Sequence, residues 1–468
     1  MSRGIDLTVT VSFMLTTELL RRNLQMPSEN AYSQPVTLKN VLKFAVPTIV
    51  MTVFMSFYTM IDGLFVSNLL GTDALSAINL SAPIISLVTA VSTMLATGGS
   101  AVIMKKAGEG KIEEAHRDFT FLILVNIGVG ILMSLLGYAL MDKIFAGMGL
   151  SQKVFDYCHA YLSRYLLFTV PILLMNNFTL YMIASGRSTL SMLSSITGDV
   201  LNILLDYLLI EVFQMGIAGA AIATGLGYSV TAVVGTLLFS NRSQLLHFVR
   251  PGHCLKTLVQ AAANGSSEMA TALVTGIVNL MFNWTMLHYV GEDGVAAITI
   301  IMYVLMFATS LYTGYSYGVA PMVSFYYGEQ NRAKLKRLVS ISFRLIGAMA
   351  VMMLLLSQLA TRPLVSIFAR PGNPVYDLAV TGNRICSIAL LFIGFNVFAS
   401  GMFTALSNGI VSAILAFSRS FVFMIIAMLT LPALLGVTGV WLANPIAELA
   451  AIGLATFMLV RYRKRYGY

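Results

Sequence analysis

The stretch Gly198-Asp-Val-Leu-Asn-Ile-Leu-Leu-Asp-Tyr207 places two carboxylates and an amide inside an apolar run long enough to cross a bilayer. Asp199, Asn202 and Asp206 are spaced i, i+3, i+7, so a helix gathers them into one polar stripe, with Val200, Ile203, Leu204 and Leu208 on the other side. An ionised aspartate at the centre of a membrane helix costs on the order of 2.5 to 3.5 kcal/mol even on the mildest scale. The stripe must therefore face something other than lipid. Two acids on one stripe point to an ion site, a proton relay or a transport pathway; plain helix adhesion is the alternative, but Ser, Thr or Asn usually supply that.

The rest of the chain supports a membrane setting. Of 468 residues, 57% are hydrophobic and 10% charged, and the mean hydropathy is +0.81, values foreign to soluble domains. Twelve spans are predicted, over 41–70, 74–104, 118–140, 157–186, 190–213, 216–240, 256–289, 295–326, 338–368, 376–407, 411–434 and 437–461. The expected fold is an all-α polytopic membrane protein. Residues 1–40 read as a cytoplasmic tail, in which Leu7–Leu15 is too short to span and Met26 is an alternative start. Residues 41–240 make a first lobe, 241–255 a polar interlobe linker whose His247 and His253 are expected to be solvated, 256–461 a second lobe, and 462–468 a cytoplasmic tail.

Charge sets the orientation. Lys39, Lys43, Lys105, Lys106, Arg187, Arg242, Lys334, Arg337 and the closing Arg461, Arg463, Lys464 and Arg465 collect at one set of helix ends, which places both termini in the cytoplasm of a cell with this chain in its plasma membrane. Topology thus accounts for the net charge of +9, and nucleic acid is not an expected partner. Cys158, Cys254 and Cys386 are odd in number and far apart, forming neither a disulfide framework nor a metal cluster.

An internal repeat appears at an offset of 220 residues: Gly71, Asp73, Ala77 and Ile78 fall on Gly291, Asp293, Ala297 and Ile298, and Gly108, Glu109 and Arg117 on Gly328, Glu329 and Arg337. Arg164 falls on Arg384, and Gly216 and Gly219 on Gly436 and Gly439. Six spans per repeat is an even number, so both halves enter the membrane the same way. The expectation is two parallel six-helix lobes, related by a pseudo-two-fold axis along the membrane normal, around a central cavity. The acids are not repeated: Asp62 and Asp206 correspond to Phe282 and Ile426, while Glu268 and Glu448 lie opposite Thr48 and Tyr228. Function is divided between the lobes.

Counting from helix ends, Asp62, Asp206 and Thr224 each lie roughly 10 to 12 Å below one membrane face at 1.5 Å per residue, with Asn202 one turn below Asp206. Carboxylate, amide and hydroxyl oxygens from three helices at one depth suit a small cation. They equally suit a proton, since two acids in a low dielectric do not both stay ionised. No intramembrane Lys or Arg is expected at that depth, and Glu268 is expected to face no intramembrane cation. Met55 and Tyr58 share a face of the first span with Asp62, and with Glu268 and Glu448 they are the expected lining of a substrate cavity; 28 methionines and 27 phenylalanines suit a pliable one.

The sequence resembles the multidrug and toxic compound extrusion (MATE) transporters over nearly all of residues 38–461. The resemblance rests on Phe44-Ala-Val-Pro47, Asp62-Gly-Leu-Phe-Val66, Gly71-Thr-Asp-Ala-Leu75, Gly108-Glu-Gly-Lys-Ile-Glu-Glu-Ala115, Asn202-Ile-Leu-Leu-Asp206 and Gly216-Ile-Ala-Gly-Ala220. It implies alternating access that exchanges Na⁺ or H⁺ for organic, often cationic, drugs, with no cofactor. It also implies a first-lobe cation site of Asp62, Asn202, Asp206 and Thr224, joined by Asn177, and a bend of the first span at Pro47. Glu268 matches an acid of another branch, whose partner acid in the tenth span is missing here, since 376–407 offers only Asp377 at its edge.

Other readings fit less well. A lipid-linked saccharide flippase of the same broader fold is expected to have a cationic central cavity. A major-facilitator transporter would show Gly-x-x-x-Asp-Arg-x-Gly-Arg-Arg where Lys105 to Arg117 stand, and an intramembrane aspartyl protease needs Tyr-Asp and Gly-x-Gly-Asp, where this chain has Asp206-Tyr207 and Thr197-Gly198-Asp199. Gly225 and Gly227 read as helix packing rather than a dinucleotide loop, and there is no phosphate-binding Gly-x-x-x-x-Gly-Lys-Ser/Thr loop, which favours an ion gradient over ATP as the drive. The expected protein is a monomeric, non-enzymatic antiporter in contact with lipid.

Overall fold

The computed structural model describes residues 32–468 apart from Gly71 and His253, so the expectations for residues 1–31, Leu7–Leu15 and Met26 included, and for His253 lie outside it. No strand occurs among the described residues. The first half runs α1 (Leu38–Leu70), α2 (Thr72–Gly108), α3 (Ile112–Gly147), α4 (Gln152–Leu167), α5 (Thr169–Ala184), α6 (Ser188–Asp206) and α7 (Gly216–Phe239). The second runs α8 (Leu255–Tyr289), α9 (Glu292–Gly328), α10 (Arg332–Ser366), α11 (Pro374–Cys386), α12 (Leu390–Ala405), α13 (Gly409–Phe417), α14 (Met424–Leu435) and α15 (Val437–Tyr466).

Among the described residues, eleven helical stretches are long and apolar enough to cross a membrane, α11 with α12 and α13 with α14 each counting as one, and α4 with α5, bent by 54°, gives twelve when taken as one span. The bend has a local cause. Pro171 has no N–H to offer the carbonyl of Leu167, four residues earlier, and α4 ends at that residue. The repeat weakens at the same place in the second half, where Ser387–Ala389 forms a 3₁₀ turn between α11 and α12, with Ile388 at the position of Phe168. Two wider π turns interrupt other spans: Tyr207–Val212 after α6 and Ser418–Phe423 between α13 and α14.

The chain packs as two compact units. The first comprises Phe57–Ala96 and Lys111–Leu258, with 32–34. Its core gathers Phe145, Leu162, Leu166, Leu173 and Ile217, while Leu135, Val200, Leu204 and Val233 stay exposed, as side chains facing hydrocarbon do. The linker is packed in its middle, where Gln244 and Leu246 are buried, and exposed at 241–243 and at Arg250 and Pro251. Phe248 stacks on Phe119 at 5.3 Å, and His247 lies half-buried with its ring 4.0 Å from that of His116, whose Nε2 reaches the Leu245 carbonyl at 2.9 Å. The expectation of a solvated His247 is therefore corrected: a second aromatic ring and the linker's own backbone hold it.

The second unit comprises Pro35–Ser56, Thr97–Gly110 and Val259–Tyr468. The start of α1 belongs to it because α9 offers glycines where the helices meet. A Cβ on Gly314 would stand 2.7 Å from Ile49 Cα and one on Gly318 2.8 Å from Ala45 Cα. Thr52 Oγ1 donates across the same contact to the Ser310 carbonyl at 2.8 Å. The end of α2 meets the end of α9 in a contact made twice. A Cβ on Gly108 would lie 2.1 Å from the Phe325 carbonyl oxygen, and one on Gly328 2.1 Å from that of Lys105, residues related by the offset of 220.

Because the obstacle at both glycines is backbone, a larger residue cannot be relieved by a rotamer change; overpacking of this kind costs typically about 1 to 3 kcal/mol. Gly108→Leu and Gly328→Leu should each lower the melting temperature in detergent and the monodisperse yield on size exclusion. Gly276→Ala, with nothing within 4 Å of the new methyl group, should leave both unchanged.

Candidate cation site

The site in the first unit begins with a helix crossing. α6 and α7 touch at Gly198 and Gly227, where a Cβ on Gly198 would lie 2.5 Å from the Gly227 carbonyl oxygen. Side chains beside that crossing are sealed from lipid. Asp199, Asn202 and Asp206 are each at most 4% exposed, whereas Val200 and Leu204 on the other face are 41% and 47% exposed. The polar stripe expected from the i, i+3, i+7 spacing is thus the buried face of α6.

Across the crossing, Asn202 Nδ2 donates to Thr224 Oγ1 at 3.4 Å, and Thr224 passes its own proton to the Ala220 carbonyl at 3.0 Å. One N–H of Asn202 and the Thr224 hydroxyl are used in that chain, and the acceptors are left over. Asn202 Oδ1, both carboxyl oxygens of Asp206 and Oδ2 of Asp199 are buried without a hydrogen-bond partner among the described residues. Half-buried Asp62 of α1 approaches Asp206 closely enough for the two carboxyl groups to form a hydrogen bond. Two ionised carboxylates are acceptors only, so that contact becomes a bond only when a proton sits between them.

Tyrosines enclose the acids. Tyr58 of α1, Tyr161 of α4 and Tyr228 of α7 all lie in electrostatic reach of Asp62, with Tyr165 beside Tyr161 and Tyr228. Tyr58, Tyr161 and Tyr165 are 6%, 6% and 3% exposed, so the ring wall excludes water while its hydroxyls remain polar. Directly after Asp206 the helix widens into the π turn Tyr207–Val212, a departure common where a side chain must be aimed.

Asn177 is engaged elsewhere. It exchanges amide hydrogen bonds with Asn126 of α3 at 2.8 and 3.2 Å and donates to the Leu173 carbonyl at 2.9 Å. The structure therefore brings Asp62, Asn202, Asp206 and Thr224 together and leaves Asn177 in a closed pair. Asp199, Tyr161, Tyr165 and Tyr228 were not in the expected set. The repeat carried a signal for Tyr228, which stands where the second half has Glu448. Pro47 lies inside α1, which continues unbroken through it, and Met55 is half-buried on the same helix.

The second unit has its own polar cluster, and it corrects the expectation that Glu268 faces no cation. Arg419, in the π turn Ser418–Phe423, donates from Nε to Glu448 Oε1 at 2.8 Å, and its charge also acts on Glu268. Asn396 Nδ2 donates to Glu448 Oε2 at 2.6 Å and to its carbonyl at 3.0 Å. Glu448, expected to line a cavity, is 4% exposed and fully engaged. The missed signal was a lone arginine inside the span predicted over 411–434.

Removing one member of a buried pair strands the other charge, at a cost of about 3 to 5 kcal/mol, whereas replacing both by apolar groups is often neutral. Arg419→Met should therefore lower the melting temperature in detergent sharply. The double variant Arg419→Met/Glu448→Leu should recover most of that loss.

Comparison with known proteins agrees with this architecture. The MatE family model matches residues 47–208 and 268–430, one match in each repeat. Multidrug export protein MepA of Staphylococcus haemolyticus is 24% identical over 439 residues, covering 93% of this chain and 96% of that protein. MepA of Staphylococcus aureus strain MRSA252 is 22% identical over 433 residues, with coverage of 92% and 94%. Among solved structures, a MATE in complex with MaL6 superposes with a TM-score of 0.86 at 21% identity, over 95% of this chain and 98% of its own. A MOP superfamily transporter from Pyrococcus furiosus Vc1 gives 0.83 at 21% identity, over 94% and 97%. Since one family model accounts for most of both repeats, this multi-pass membrane protein belongs to the MatE family of transporters and is not an enzyme.

Proposed function

We propose that the chain is a secondary multidrug efflux transporter that exchanges Na⁺ or H⁺ for organic, often cationic, drugs by alternating access. The full-length similarity to multidrug export proteins supports the substrate class. One observation carries the coupling: Asp206 holds two buried carboxyl oxygens without donors, against a second acid and beside the orphaned Oδ1 of Asn202. A proton between the acids, or Na⁺ taking oxygens from Asp62, Asn202, Asp206 and Thr224, supplies the missing positive charge. The ion is cargo and no cofactor is needed.

Loading and unloading that charge changes how strongly α1 is drawn toward α6. Pro47 lacks one backbone hydrogen bond, so α1 can bend there and convert the change into a different cavity shape. Glu268 and Met55 of the second unit would meet the drug. The transporter works as a monomer in the plasma membrane with both termini cytoplasmic, its 41–240 and 256–461 lobes joined by the linker 241–255.

Asp62→Asn and Asp206→Asn keep size and remove only the charge the ion must offset. Each should abolish gradient-driven efflux of the fluorescent cation ethidium from proteoliposomes while leaving the melting temperature within a few degrees of wild type. Running the assay separately with a Na⁺ gradient and a pH gradient identifies the coupling ion; near wild-type pumping by either variant under both gradients would overturn the assignment. Glu268→Gln should slow efflux of ethidium more than that of an uncharged substrate, and equal slowing would assign Glu268 to folding.

A further inference from the structure

Asp199 is, with Asp118, one of two buried acids among the described residues of the first unit that the coupling site above does not use. It is 4% exposed, and its Oδ2 has no hydrogen-bond partner among the described residues. Burying a carboxylate oxygen without a donor is costly, so the group gains by charge compensation from outside the fold or by losing its charge. Its titratable surroundings are few. Tyr58 from α1 and Tyr228 from α7 lie in its electrostatic reach, Asp206 stands seven residues on along α6 with Asp62 beside it, and no Lys, Arg or His contributes among the described residues.

Asp199 is also distinct from the Asp62–Asp206 pair. Seven residues separate it from Asp206 along α6, roughly 10 Å of helix. No three His, Cys, Asp or Glu groups converge closely enough to hold a metal ion among the described residues, so Asp199 does not complete a common cluster with the other two acids.

The repeat shows what the same place in the fold holds when its charge is settled. At an offset of 220 residues Asp199 corresponds to Arg419 and Tyr228 to Glu448. In the second unit those positions close on each other at 2.8 Å as an ion pair. In the first unit the same helix-helix contact has an acid facing a neutral phenol. The built-in counter-ion is missing, and a single carboxyl between tyrosines offers too few oxygens for a dehydrated metal ion but suits a proton.

We propose that Asp199 is a second proton-carrying site of the first unit, taking up and releasing its proton at the α6–α7 crossing separately from the Asp62–Asp206 pair. It rests on the coupling reading only for its place in the transport cycle, because proton exchange at Asp199 can be measured without transport.

The test is infrared difference spectroscopy on the full-length protein in lipid vesicles, comparing mildly acidic with mildly alkaline pH. The Asp62→Asn/Asp206→Asn double variant should retain a protonated-carboxyl C=O band that vanishes at alkaline pH. Adding Asp199→Asn should delete that component. Should the triple variant fail to accumulate, Asp199→Glu in the double-variant background should move that band in frequency, and a band left unmoved would overturn the assignment. A double variant with no such band, or a triple variant that keeps it unchanged, overturns the proposal. Ethidium efflux by the double variant, read in parallel, bears on the coupling site alone.

Discussion

The arrangement of the first unit depends on a shortage of donors around buried oxygens. Asn202 gives an N–H to Thr224, Thr224 gives its O–H to the Ala220 backbone, and neither carboxyl oxygen of Asp206 receives a donor among the described residues. In a low-dielectric interior such acceptors are far more costly than on a surface. Satisfying them within the fold would require one more Asn, Lys or Arg. The chain instead closes the site with the crossing at Gly198 and Gly227 and walls it with tyrosines. The fold tolerates that cost because the rest of the unit packs closely, and it leaves the acids sensitive to any small positive species that reaches them.

The second unit solves the same problem in the opposite way. Glu448 receives Arg419 and Asn396 together, so its charge is compensated within the protein. Corresponding helix positions thus hold a closed ion pair in one half and an open acid in the other. Duplication supplied the frame, and divergence of a few side chains at equivalent depths gave the two halves different electrostatics.

Much of this was legible in the sequence because hydrocarbon imposes strong rules. Twelve apolar runs, the repeat and the buried face of α6 all follow from span length and from the cost of exposing Asp199, Asn202 and Asp206 to lipid. What escaped the sequence depended on contacts across helices. Asn177 carries a polar amide at a plausible depth, but only the structure reveals that Asn126 occupies it. Arg419 was overlooked because one charge in a long apolar run looks like an exception until its acid is found on another helix. The 54° bend between α4 and α5 was hidden for a related reason: Pro171 marks it, yet prolines also sit inside α1 and α9 without dividing them.

The start of α1 and the end of α2 pack with α9, a helix that follows them by some two hundred residues of sequence. A ribosome delivers these helices in order. While the first half is being inserted, Ala45, Ile49 and Gly108 present faces shaped for neighbours that do not yet exist, and only the arrival of Gly314, Gly318 and Gly328 covers them. Completion of the second unit is therefore a late event in biogenesis, which makes the nascent first half dependent on lipid, or on the insertion machinery, to shelter those surfaces in the interval.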